Sequence, residues 1–307
     1  MSYDGRRDAK VPVVSDKSVW ISGKTCMITG ANSGIGEAAA TGLARMGAKV
    51  VMVCRDAGKG AAAKSRILSR SGAKEADVVL MIADLASLDS VRKLASDFLK
   101  TNQPLHVLAN NAGLIMGRRT VTVDGLETTF EVNYLSHFLL TNLLLGNLKA
   151  NAPSRIINVS SSAHTGGHID FGDLQEEKGY GAMKSYSQSK LAQVLFTYEL
   201  AKRLQGTGVT VNAMHPGLVA TGWATRSAGV LGVGVRLAHP FMINAEKGAD
   251  TLVYLASSPE VADVSGKYFY KRKAVSSSRQ STDGEAASRL WETSTSLAQT
   301  EKDPTVS

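Results

Sequence analysis

Residues 24–36 read KTCMITGANSGIG. The first six form an apolar run that reads as a strand, and residues 34–46, rich in Ala and Gly, read as a helix. Between them lies TGANSGIG (29–36), with its glycines spaced G-x-x-x-G-x-G. Glycines alone carry little meaning; their context decides the reading. A glycine turn that closes a strand and opens a helix lets the backbone approach a pyrophosphate, and the helix N-terminus offers free N–H groups to phosphate oxygens. Gly30 permits the tight turn, and Gly34 and Gly36 let the helix and a pyrophosphate come close. A dinucleotide site is the reading preferred over a plain turn.

Outward from this turn, apolar runs alternate with longer helical patterns. AKVVMVC (48–54), DVVLMIA (77–83), LHVLAN (105–110), RIINVS (155–160), VTVNAM (209–214) and GKYFY (266–270) read as further strands. The runs are continuous, which implies burial on both faces and hence a parallel sheet covered by helices. The expected fold is α/β: a Rossmann-type, doubly wound, parallel seven-stranded sheet with helices on both faces, a three-layer sandwich. The expected organisation is an N-terminal arm (1–22), one domain (23–271), and a C-terminal linker with a short amphipathic helix (272–307). HFLLTNLLLGNL (137–148) is too short and too polar to span a bilayer and reads as a buried helix. Residues 1–18 are polar and charged with no apolar core, so no signal peptide is expected.

The chain has 307 residues, a formal net charge of +8 and two cysteines, Cys26 and Cys54. Both cysteines lie in apolar runs and read as small core residues in a reducing compartment. The expected location is cytoplasmic, with peripheral membrane contact as the alternative. The basic residues are dispersed, and their densest cluster, KYFYKRK (267–273), is short and lacks a nucleic-acid motif around it. It reads as a solvated patch, so no nucleic-acid partner is expected. His164 and His168 have no third ligand in view, so no metal is expected.

The second strand bears on the choice of dinucleotide. An NAD enzyme usually places an acidic residue about 20 residues after the glycines. Here Cys54 stands there and Arg55 follows. A neutral residue does not repel a 2′-phosphate, and a guanidinium can hold one, so NADP(H) is the expected cofactor. Asp56 either pairs with Arg55 or caps the next helix. In ADLAS (83–87), Asp84 either accepts from the adenine amine or is a turn residue beside the cap Ser87. In NNAG (110–113), small residues let a ribose lie on the backbone, though Asn110 could equally tie strands together. In INVSSSAH (157–164), Ser160, Ser161 and Ser162 cannot all face one way. SYSQSK (185–190) sets Tyr186 and Lys190 four apart on one helix face. A neighbouring ammonium and a cationic nicotinamide would lower the phenol pKa; about three units, or roughly 4 kcal/mol, make it a usable acid/base.

Together with EVNYLSHF (131–138) and HPGLVAT (215–221), these motifs resemble the short-chain dehydrogenase/reductase family over roughly residues 22–270. Within it, CRDAGKG (54–60), LANNAGLIM (108–116), VSSSAH (159–164) and SGKYF (265–269) are most similar to the NADP(H)-using retinol dehydrogenase group, and less so to light-dependent protochlorophyllide reductases. Many retinol dehydrogenases carry an N-terminal membrane anchor; residues 1–22 read instead as a loose arm. The resemblance implies a catalytic tetrad of Asn133, Ser161, Tyr186 and Lys190. Tyr186 would exchange the proton with the substrate oxygen and Ser161 would hydrogen-bond that oxygen. Lys190 would hold the ribose and lower the tyrosine pKa, and Asn133 would anchor a water in a proton relay. Pro216, Gly217, Val219 and Thr221 would flank the nicotinamide carboxamide. The implied cofactor set also includes Gly30, Ser33, Gly34, Ile35, Gly36, Arg55, Asp84, Leu85, Asn111, Ala112, Gly113, Tyr186 and Lys190. Residues 216–245 would form the substrate lid; they hold no acidic residue and many apolar ones, which suggests a lipophilic alcohol or carbonyl substrate. The alternative is packing against a subunit or membrane surface. The helices at 126–149 and 183–205 pair between subunits in many relatives, so a homo-oligomer is one expectation. The expected activity is an NADP(H)-dependent oxidoreductase acting on CH–OH groups; the alternative is a dinucleotide-binding regulator with little turnover.

Overall fold

The structure, a computed structural model, describes residues 20–217 and 244–299. The chain begins with the expected strand–turn–helix: β1 (Thr25–Thr29), all five residues buried, then α1 (Gly34–Arg45). There follow β2 (Lys49–Cys54), α2 (Ala57–Ser71), β3 (Val78–Ile82), α3 (Leu88–Lys100) and β4 (Val107–Asn110). A single helical run is then built from α4 (Thr128–Phe130), a π-helical turn (Glu131–Leu135) and α5 (Ser136–Ala150). β5 (Ser154–Val159), α6 (Ala182–Arg203), β6 (Val209–Met214), α7 (Ala245–Ser257), β7 (Tyr268–Tyr270), β8 (Lys273–Val275) and α8 (Gly284–Leu297) complete the described elements.

The strands form one sheet in the order β3-β2-β1-β4-β5-β6-β7-β8. β1 to β7 are parallel, and β8 runs antiparallel to β7. This is the doubly wound order, with its reversal between β1 and β4, where ligands of open α/β sheets gather beyond the strand ends. Successive residues of a strand face opposite sides. Val50, Met52 and Cys54 of β2 join one core, under α1, α2 and α7. Val51 and Val53 join the other, under α3, α5, α6 and α8. The apolar run 137–148 lies in α5, with Leu139, Leu140, Leu144, Leu145 and Leu148 all buried. Among the described residues no helix is long and apolar enough to cross a membrane.

The expected count of seven strands is corrected to eight. The extra strand lies in the stretch that reads as a linker and pairs as Tyr268↔Val275, Phe269↔Ala274 and Tyr270↔Lys273. All three of its residues are exposed, so it carries no apolar signature. Its hairpin turn takes Lys271 and Arg272 into left-handed backbone, at φ 49° and 62°, where neither sequence position announces a turn. At the other end, Ile21 is fully buried, and Trp20 lies under the guanidinium of Arg155 at 3.9 Å.

Candidate active site

The glycine turn sits at the C-terminal end of β1, against β4. Gly30 has φ +68°, a conformation L side chains rarely adopt. A Cβ on Gly36 would lie 2.3 Å from Gly30 O and 2.6 Å from Asn111 Nδ2, so only hydrogen fits. Ser33 precedes α1 in extended conformation and makes no side-chain capping bond, which leaves the first N–H groups of the helix facing outward. Ser33 is exposed, and Gly34 and Ile35 are half-buried. Thr29 locks the neighbouring loop: its Oγ1 accepts from Asn111 N and Ala112 N, both at 2.9 Å, and meets His137 Nε2 at 2.9 Å. Burial pushes the His137 imidazole down to about 4, so the ring is neutral at ordinary pH. This cradle of close backbone, free helix N–H groups and small residues fits an anionic dinucleotide.

At the second strand, Cys54 is buried and Arg55 is exposed. Asp56 takes the capping role, accepting from Lys59 N at 2.8 Å at the start of α2. After β3, Ser87 caps α3, while Asp84 Oδ1 accepts from Ala86 N at 3.0 Å. Leu85 packs its side chain into the core, and its carbonyl accepts from Ser136 Oγ at 2.6 Å. Asn110 is the tie between strands: its Nδ2 donates to Asn158 Oδ1 on β5 at 2.8 Å and to Thr141 Oγ1 at 3.0 Å.

The three serines after β5 part company as alternation requires. Ser160 is buried and donates to Lys190 O at 2.8 Å, while Ser162 is exposed. Ser161 neighbours Tyr186, where it favours the phenolate, and its Oγ accepts from Ala163 N at 3.2 Å. Tyr186 and Lys190 occupy the first turns of α6, with the ammonium 5.6 Å from the phenol ring centre. Lys190 Nζ donates to Val159 O at 3.0 Å and to Gln193 Oε1 at 2.9 Å. Asn133 lies in the π-helical turn. Its amide accepts from Leu114 N at 2.7 Å and donates to Leu114 O at 2.9 Å and Ser189 Oγ at 3.0 Å. Its carbonyl meets His137 Nδ1 at 2.9 Å and accepts from Gln193 Nε2 at 2.8 Å. The link from Asn133 to Lys190 thus runs through Gln193. Gly113 lines the same spot: a Cβ there would come within 3.3 Å of both Asn133 Oδ1 and Lys190 Nζ.

The phenol pKa of Tyr186 is raised, because burial outweighs the lowering influence of Ser161. Burial likewise pushes Lys190 down to about 7. Desolvation disfavours charge on both groups, and no described carboxylate offsets it. Pro216 and Gly217 follow β6, with Gly217 N donating to His215 Nδ1 at 3.3 Å. Val219, Thr221 and most of the expected lid lie outside the described residues. Among the described residues no group of three or more His, Cys, Asp or Glu side chains is placed to hold a metal.

The sequence reading gave no role to Thr29, His137 or Gln193. Gln193 alone carried a usable signal, since it follows Lys190 by three on the same helix face.

The profile of the short chain dehydrogenases matches residues 24–228. The chain belongs to the short chain dehydrogenase family. It is 46% identical over 284 residues to retinol dehydrogenase 12 of Mus musculus, covering 92% of this chain and 89% of that protein. To retinol dehydrogenase 13 of Homo sapiens it is 46% identical over 283 residues, covering 90% and 85%. Among solved structures, an uncharacterized protein from Mycobacterium Paratuberculosis superposes with a TM-score of 0.74 at 35% identity, covering 92% of this chain and 95% of that one. The NADP active-site complex of RhlG from Pseudomonas aeruginosa superposes with a TM-score of 0.66 at 27% identity, covering 81% and 94%. This short chain dehydrogenase is accordingly an oxidoreductase of the retinol dehydrogenase group.

Proposed function

We propose that this chain is an NADP(H)-dependent oxidoreductase that interconverts a lipophilic alcohol and its aldehyde or ketone, with Tyr186 as the acid/base. The observation that carries the reading is that Ser161 and Lys190 gather at Tyr186 beyond the end of β5, with the ammonium 5.6 Å from the phenol ring centre. When bound, the dinucleotide gives or takes the hydride, and its oxidised ring adds positive charge beside the phenol. Ser161 holds the substrate oxygen that Tyr186 protonates or deprotonates. The phenol is protonated at neutral pH and so can give the proton that carbonyl reduction requires. Lys190 holds the ribose hydroxyls and, in its charged form, favours the phenolate needed for oxidation. Asn133 fixes Leu114 and Ser189 around this centre, and Gln193 joins its carbonyl to Lys190.

The glycine turn holds the pyrophosphate, with Ser33, Gly34, Ile35 and Gly36 presenting α1, and Asn111, Ala112 and Gly113 backing the ribose. Arg55, exposed and without a carboxylate in the Cys54 position, supports the 2′-phosphate reading. So does the NADP held by the RhlG relative. Asp84, one of whose carboxylate oxygens accepts from Ala86 N, would accept from the adenine amine with the other. Pro216, Gly217, Val219 and Thr221 flank the carboxamide. The names of the retinol dehydrogenase relatives and the acid-free stretch 216–245 support a lipophilic substrate.

The test is a panel of hydrophobic aldehydes with NADPH and NADH side by side. NADPH is expected to be consumed preferentially, and Arg55→Asp to shift the preference toward NADH by about tenfold or more, the worth of a charged hydrogen bond. An unchanged ratio contradicts the cofactor assignment. Cofactor binding without turnover on any aldehyde or ketone points to a regulator.

A further inference from the structure

Three residues beyond Ser161 lies a histidine for which the reaction has no role. His164 is 2% exposed. Its Nε2 lies 3.1 Å from the backbone nitrogen of Ser278, and its Nδ1 lies 2.7 Å from Ser161 O. A backbone N–H only donates, so Nε2 is the acceptor and Nδ1 carries the proton. Nδ1–H therefore donates to Ser161 O. Tyr268 adds a second hold: its hydroxyl donates to Ser161 O at 3.2 Å, and its ring packs 4.7 Å from the imidazole. A carbonyl held from two sides fixes the peptide plane after Ser161, and with it the turn in which Ser161 Oγ accepts from Ala163 N.

The segment that supplies Ser278 is itself anchored. β8 pairs with β7 just before it, Ser277 Oγ meets Tyr198 OH at 2.7 Å, and Ser281 Oγ donates to Ser277 Oγ at 2.7 Å. Beyond it, α8 seats Trp291 against Phe138 and Phe196. The C-terminal segment thus reaches back across the sheet to the loop that carries the serine.

We propose that His164 is a positioning residue for Ser161, through which the C-terminal segment, by the Ser278 N–H, braces the serine against Tyr186. This rests on the reading of Ser161 as the hydroxyl that meets the reacting oxygen. Ser278 offers a clean probe. Its φ of −68° is the value proline imposes, so Ser278→Pro removes the N–H without straining that torsion. Ser278→Ala keeps the N–H and removes only the hydroxyl that caps the next turn.

Steady-state kinetics on the full chain, with NADPH and a medium-chain alkanal, test the brace. Ser278→Pro is expected to lower kcat about fivefold relative to Ser278→Ala, the size of one hydrogen bond, with the KM for NADPH unchanged. His164→Phe should lower kcat at least as far. His164→Asn, whose amide nitrogen can reach where Nδ1 sits, should restore part of the loss. A kcat for Ser278→Pro equal to that of Ser278→Ala overturns the proposal, as does a His164→Phe chain with wild-type kcat. The Ser278 pair keeps the test open if His164→Phe fails to fold. Wild type and Ser161→Ala run beside them separate the two readings. An inert wild type, or a Ser161→Ala chain as fast as wild type, removes the catalytic reading on which the brace depends; the other outcomes bear on the brace alone.

Discussion

Lys190 carries an amine into a buried site where both of its hydrogen-bond acceptors, Val159 O and Gln193 Oε1, are neutral. Burial holds its pKa at about 7, well below the ordinary lysine value. The consequence for stability has a definite sign. Between about pH 7 and the unfolded lysine pKa, the unfolded chain binds a proton that the folded chain does not, so stability rises with pH across that window. Below about pH 7 both states are charged and the gain is lost. Denaturant unfolding of wild type minus Lys190→Met should therefore show a difference that grows in favour of wild type from pH 7 to pH 9; a flat difference contradicts the burial account. At this scale spacing alone set Tyr186 and Lys190 one turn apart, as α6 has them, while Ser161 and Asn133 entered only through the family resemblance. The burial that raises the phenol pKa was not legible, because a sequence shows a neighbouring charge but not the desolvation around it. The contacts of Thr29, His137 and His164 stayed hidden because their partners lie 82, 108 and 114 residues away.

The strand–turn–helix at 25–45 is the element on which cofactor binding turns. Gly36 faces Gly30 O so closely that any side chain must push α1 off the turn. Gly36→Ala is expected to cost about 1–3 kcal/mol of stability, the ordinary penalty of overpacking. It should also weaken NADPH binding at least tenfold, measured by fluorescence titration; binding at wild-type strength would show that the turn is not the phosphate cradle. Elements of this kind were readable because burial on both faces leaves unbroken apolar runs, as in residues 50–54 of β2, all buried. β8 was unreadable for the opposite reason: an exposed edge strand of three residues has no pattern to show. The π-helical turn at 131–135, from which Asn133 clamps Leu114 and Ser189, was equally silent.

Across the whole molecule, α8 closes a face of α5 and α6. Trp291 packs on Phe138 at 5.0 Å and Phe196 at 5.8 Å, Arg203 lies 4.3 Å over its ring, and Ser294 Oγ meets Tyr134 OH at 2.7 Å. The amphipathic pattern of 285–297 announced this helix, but only the fold tells which surface it covers. Trp291→Ala should destabilise the chain by about 2–4 kcal/mol and expose Phe138 and Phe196, seen as a lower Tm together with a larger sedimenting species. An unaltered Tm would mean that the helix rests on this face without stabilising it. The central claim, that Tyr186 moves the proton in an NADP(H)-dependent reaction, is met most directly by one comparison. NADPH oxidation with a hydrophobic aldehyde is followed for wild type and Tyr186→Phe, at saturating cofactor and with NADPH binding measured in parallel. The account predicts undiminished binding and a rate lower by roughly 10²–10⁴-fold. A Tyr186→Phe chain that turns over at the wild-type rate would contradict it.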